Sequence, residues 1–170
     1  MALTLVRHTR PQAEGLCYGR GDISLADSFT AEAEALAATL TPARIVSSPL
    51  ARCQRLARYL AARLGVPVTL DDRLAEIDFG AWEGRPWTAI PRPELDAWAA
   101  DLFHARPHGG ESVAMLLART RAVLADLRAT GAPCIAVTHA GVIRAAHVAA
   151  GDPTAWQRPI PYAEPIVLPD

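Results

Sequence analysis

Short β-prone apolar runs alternate with helix-period stretches along this chain, and that alternation restricts it to a mainly parallel sheet with helices on both faces. Residues 2–6, 44–47, 66–70 and 134–138 read as strands. Residues 28–40, 48–64, 94–103, 112–129 and 141–150 read as helices. Ser28 and the pair Ser48-Pro49 supply cap and first-turn chemistry. Leu50, Cys53, Leu56, Ala57, Leu60 and Leu64 form the buried stripe of the second helix, which Gly65 stops. Residues 165–168, limited by prolines, read as an edge strand. Residues 86–93 and 105–110 read as loops, and no internal repeat or linker divides the chain. The expectation is one domain over 1–170, an α/β three-layer α/β/α sandwich.

Two of the strand runs end in histidine. Leu5-Val6 leads into Arg7-His8-Thr9-Arg10, and Cys134-Ile135-Ala136-Val137-Thr138 leads into His139-Ala140-Gly141. In open α/β sheets, ligands bind beyond the carboxyl ends of the strands. His8, Ser47-Ser48 and His139 are therefore expected to converge. Arg52, in the first turn of the helix that opens at Ser48-Pro49, would lie where free N–H groups and the positive dipole end favour an anion. Arg7, Arg52 and the two histidines would make a cationic pocket of phosphate size, suited to the planar fork of arginine. As a first-turn surface residue, Arg52 would contribute little to packing.

Composition narrows the chemistry. The 170 residues are 51% hydrophobic and 21% charged, enough for a sizeable core. A formal net charge of -1 offers no overall attraction to nucleic acid or membrane. All 17 basic residues are arginine. The absence of lysine excludes a G-x-x-x-x-G-K-S/T phosphate loop and Schiff-base catalysis by this chain. Cys17, Cys53 and Cys134 are widely spaced and odd in number, which argues against a disulfide framework or zinc site and suits a reducing cytoplasm. Met1 runs straight into the first strand without a secretory leader pattern, so a soluble, unexported protein is expected.

Five segments together resemble the histidine phosphatase superfamily, also called phosphoglycerate mutase-like. They are Arg7-His8, Ser47-Ser48-Pro49-Leu50-Ala51-Arg52, the run from Leu74 to Gly84 with Glu76, Gly110-Glu111-Ser112, and Thr138-His139-Ala140-Gly141-Val142-Ile143-Arg144. Arg7-His8-Thr9-Arg10-Pro11 followed by Gly15-Leu16-Cys17-Tyr18-Gly19-Arg20 looks most like the α-ribazole phosphatases, which act in cobalamin assembly. The resemblance implies that His8 is a nucleophile forming phosphohistidine. It further implies that Arg7, Arg52 and His139 hold the phosphoryl group, and that Glu76 protonates the leaving oxygen and later activates water. It implies no cofactor and no metal, since fixed arginines can neutralise phosphate oxygens.

Thr9 stands where the family usually has glycine, and Glu14 where asparagine is common; Thr9 is shared with the α-ribazole phosphatase-like branch. Cys53 and Leu56 replace a small residue and a threonine, changes expected to affect packing only. Chain length and Glu14 favour a phosphatase over a mutase. Thr9, Arg10, Glu14, Tyr18 and Arg20 are candidate substrate contacts, and the resemblance implies a small phosphorylated metabolite as the partner. Nothing in the sequence separates a monomer from a homodimer.

Other features have plainer readings. Glu83 competes with Glu76 as the acid but reads as a structural carboxylate, and Asp78 is a weaker rival. Gly19-Arg20-Gly21-Asp22 reads as a turn near the pocket mouth. His104 and His108 have metal-like spacing, yet Pro107 breaks a helix between them. Tyr18, Trp87, Trp98 and Phe103 could stack on an aromatic substrate or pack in the core. Alternatives are a broad-specificity or sugar-phosphate phosphatase, a small phosphoglycerate mutase and, in another class, a phosphate-binding module without turnover.

Overall fold

The computed structural model describes residues 3–169. Five strands, β1 (Leu3–Arg7), β2 (Arg44–Ser47), β3 (Val68–Leu70), β4 (Cys134–Thr138) and β5 (Pro165–Leu168), form one sheet in the order β3-β2-β4-β1-β5. The first four neighbours run parallel, and β5 closes the edge antiparallel to β1. Side chains alternate across the pleat and so build two cores. Leu3, Leu5, Cys134 and Ala136 pack against α4 (Val113–Ala129) and α5 (Ala140–Ala149). Val6, Ile45, Ile135 and Val137 pack with residues of α1 (Phe29–Ala37) and α2 (Ala51–Leu64) on the other face. The result is the expected three-layer sandwich.

Element boundaries differ from expectation where side chains have other work. Ser48 and Pro49 precede α2, whose N-cap is Leu50 in an extended conformation. Ser48 Oγ accepts from Leu50 N at 3.3 Å and bonds His139 Nε2 at 2.8 Å instead of capping a helix. The helix α3 (Arg92–Ala100) begins inside the stretch expected to be loop, because Pro93 sits in the first turn, where its missing N–H costs nothing. Ser112 does cap α4, accepting from Met115 N at 3.2 Å. Ala2, placed in the expected first strand, lies outside the described residues.

Candidate active site

β1 and β4 are adjacent and parallel, with Arg7 opposite Thr138, so the residues that follow, His8 and His139, emerge side by side. Their ring centroids are 5.3 Å apart. Both are 1% exposed. His8 Nδ1 lies 2.8 Å from the Thr9 carbonyl, which only accepts, so Nδ1 carries the proton and Nε2 keeps its lone pair. Burial drives the His8 pKa down to about 3, against the Thr9 hydrogen bond and with help from the charges of Arg52 and Arg7. Burial, followed by Arg52 and His8, also holds His139 well below its ordinary value. His139 Nε2 lies 2.8 Å from Ser48 Oγ and 3.4 Å from Cys53 Sγ, so Cys53 touches the site and is more than packing.

A cavity of about 400 Å³ opens in front of His8. Arg7, Glu76, Glu14 and Tyr18 line it as expected, together with Trp87. Glu76 is 9% exposed; its Oε1 accepts from Ile77 N at 3.0 Å and its Oε2 from Gly141 N at 3.0 Å. A Cβ at position 141 would fall 2.2 Å from Oε1, so glycine there is what allows the carboxylate to approach α5.

Arg52 departs from its expected setting. It is 1% exposed, neither on the surface nor on the cavity wall. Its Nη1 donates to the Gly21 carbonyl at 2.8 Å and its Nη2 to the Gly19 carbonyl, while the guanidinium lies 5.1 Å from the Tyr18 ring centre. The α2 N-terminus that was expected to face a phosphate is met by Asp22, whose Oδ1 accepts from Ala51 N at 3.1 Å. Arg7 is also engaged at its tips, by the Ile160 carbonyl at 2.7 Å and Tyr162 Oη at 2.9 Å. Among the described residues, Arg7 Nε, Arg52 Nε and Thr9 Oγ1 are buried without hydrogen-bond partners. Of these three residues, Arg7 is the one that lines the cavity in front of His8.

The other candidates separate. Thr9 is buried off the cavity wall. Arg10 is exposed beside Glu32, and Arg20 lines a different groove with Asp78 and Arg106, so neither reaches the His8 cavity. Glu83 accepts from the amides of Gly19, Arg20, Gly21 and Phe79, which is the structural role expected of it. Asp78 is bound locally to Gly80 N. His108 is buried among Trp82, Trp98 and Phe79 with Nδ1 accepting from Gly110 N, whereas His104 is exposed beside Asp101. Trp98 packs in that aromatic core and Phe103 against Trp156.

Sequence reasoning gave no role to Tyr162, Phe79 or Arg144, all of which line the wall. Arg144 carried a usable signal, since it stands four residues after Ala140 and shares its helix face. Tyr162 carried none. It arrives on the chain returning into β5, where Ala163 N donates to the Arg7 carbonyl at 3.0 Å.

The chain belongs to the histidine phosphatase superfamily (branch 1), whose family pattern matches residues 3–165. It is 35% identical over 162 residues to the glucosyl-3-phosphoglycerate phosphatase of Mycobacterium tuberculosis, covering 84% of this chain and 72% of that protein. The solved structure of a mycobacterial glucosyl-3-phosphoglycerate phosphatase superposes with a TM-score of 0.79 at 31% identity, over 91% of this chain and 81% of the other. The α-ribazole phosphatase of Shigella flexneri superposes with a TM-score of 0.83 at 26% identity, over 96% and 87% of the two chains. Family and fold support a phosphatase acting on small phosphorylated substrates.

Proposed function

We propose that this protein hydrolyses small phosphomonoesters in two steps through phosphohistidine at His8. In the first, the Nε2 lone pair of His8 attacks phosphorus, the bond from phosphorus to the ester oxygen breaks, and Glu76 gives that oxygen a proton. In the second, Glu76 takes a proton from water, whose oxygen attacks phosphorus and releases inorganic phosphate and neutral His8. The observation that carries this reading is the shared cavity: a buried, neutral histidine with Nε2 unprotonated faces the same space as Glu76. Arg7, on the wall of that space, would take phosphoryl oxygens, and the family resemblance gives Arg52 and His139 the same role. Ser48 donating to Nε2 of His139 would leave Nδ1–H as a further donor.

For the leaving group we propose α-ribazole, which would place the enzyme in cobalamin nucleotide-loop assembly in the cytoplasm. Support comes from the aromatic wall of Phe79 and Trp87, suited to stacking on a base, and from the likeness to the Shigella flexneri enzyme over 96% of the chain. A second reading, a phosphoglycerate-type or sugar-phosphate substrate, is favoured by Arg144. That residue places a cation on the wall near Glu76, suited to a carboxylate or hydroxyl on the leaving group. The two are separated by kcat/KM on α-ribazole 5'-phosphate, glucosyl-3-phosphoglycerate, 3-phosphoglycerate, simple sugar phosphates and p-nitrophenyl phosphate. A best substrate with an aromatic base supports the first, and a best substrate with a carboxylate and no base supports the second. No phosphate release from any of them would return the chain to the class of non-catalytic phosphate-binding modules.

A further inference from the structure

Glu76 stands on a stretch with no regular secondary structure, between the 3-10 turns Asp72–Leu74 and Gly80–Trp82. No strand ladder or helix fixes its backbone, so some other contact must. The side chain of Arg119, from the middle of α4, does so with one guanidinium. Its Nε and Nη2 grip the two oxygens of Glu111 at 2.6 and 2.9 Å. Its Nη1 donates to the carbonyls of Arg73 at 2.7 Å and Ala75 at 2.6 Å. The Ala75 carbonyl belongs to the peptide group joining Ala75 to Glu76, so the grip falls on the bond that orients Glu76.

Glu111 holds the stretch beyond Glu76. Its amide donates to the Asp78 carbonyl at 2.8 Å, and its Oε2 accepts from Asp78 N at 3.3 Å. Thr138 Oγ1 adds a bond to the Leu74 carbonyl at 2.7 Å. The backbone is therefore tied on both sides of Glu76 to a pair whose side chains are only 15% and 10% exposed. A planar fork can bridge a carboxylate and still reach two carbonyls; a lysine ammonium, a point charge with three donors, cannot reproduce that geometry.

We propose that Arg119, oriented by Glu111, is a positioning residue for Glu76, setting the carboxyl where it can serve the leaving oxygen. This rests on the reading of Glu76 as the general acid. A general acid matters most for a poor leaving group, so loss of positioning should appear as substrate dependence. A merely structural ion pair would lower all substrates alike.

The test compares kcat/KM for a simple alkyl phosphate and for p-nitrophenyl phosphate in Glu76→Gln, Arg119→Lys and Glu111→Gln. Arg119→Lys and Glu111→Gln should each lose about 10-fold or more beyond the nitrophenyl loss on the alkyl ester, within the range of general-acid effects. Arg119→Lys added to Glu76→Gln should widen the gap no further, because the two act as a unit. Glu111→Gln preserves side-chain shape and stands in if Arg119→Lys fails to fold. Equal losses on both substrates in the pair variants, beside a clear divergence in Glu76→Gln, would overturn the positioning role and leave the acid in place. An additive gap in the double variant would overturn it as well. No divergence in Glu76→Gln would overturn the acid assignment itself, and the inference with it.

Discussion

Glu76 and Gly141 are in contact across the mouth of α5: the Gly141 amide donates to Glu76 Oε2 at 3.0 Å, and a Cβ on Gly141 would fall 2.2 Å from Oε1. The carboxylate thus shares the first turn of the helix that begins just after His139. A residue without a side chain thus lets the Glu76 carboxylate sit against α5, in the cavity that His8 and Arg7 also line.

The Gly141→Ala variant should accordingly displace Glu76 while leaving the sheet intact. The expected loss in kcat/KM for an alkyl phosphate is about 10²-fold, at the lower end of what a general acid supplies. Steady-state kinetics with circular dichroism on the same sample checks it. Wild-type activity from a folded Gly141→Ala protein would mean that the position of Glu76 is not critical.

Removal of Arg52 should cost stability as well as activity. Its two terminal nitrogens hold the carbonyls of Gly19 and Gly21, while Glu83 binds only the amides of the same loop. Arg52→Ala should lower the unfolding free energy by about 1–3 kcal/mol, the range for leaving buried polar groups unpaired, and abolish most turnover. Urea unfolding measures the first effect. An unchanged midpoint would show that the loop of residues 19–21 is held without Arg52.

The buried histidines give stability a defined pH dependence. The folded-state pKa of His8 is about 3 against an ordinary 6.5, so between those values the unfolded chain binds a proton that the native protein does not. Stability is therefore lost as pH falls below about 6.5, with His139 acting in the same direction. Each group contributes at most ~1.4 kcal/mol per pH unit. Unfolding measured at about pH 7 and about pH 5 should show the drop, and His8→Gln should reduce it. Equal slopes in the two proteins would show that His8 takes up its proton in the folded state.

What could be read from the sequence depended on how far the information lay from the residue. His8 and His139 were legible because each follows a short apolar run, and parallel strands deliver their carboxyl ends to one edge of a sheet. The resemblance to a family singled out Glu76. Arg52 was identified, but its surroundings were not, because the carbonyls of Gly19 and Gly21 and the carboxylate of Asp22 reach α2 from a separate loop. Tyr162 was invisible because it meets Arg7 from 155 residues away along the chain. Pro91 and Pro93 hid the start of α3, since prolines that read as loop residues also fit a first helical turn.

The central claim is that a phosphoryl group passes through His8, and rapid quench with labelled substrate tests it most directly. The account predicts one acid-labile, base-stable phosphoryl group per active site within the first turnover, mapped to His8 and absent from His8→Ala. Substantial turnover by His8→Ala, or a trapped phosphoryl group on another residue, would contradict it.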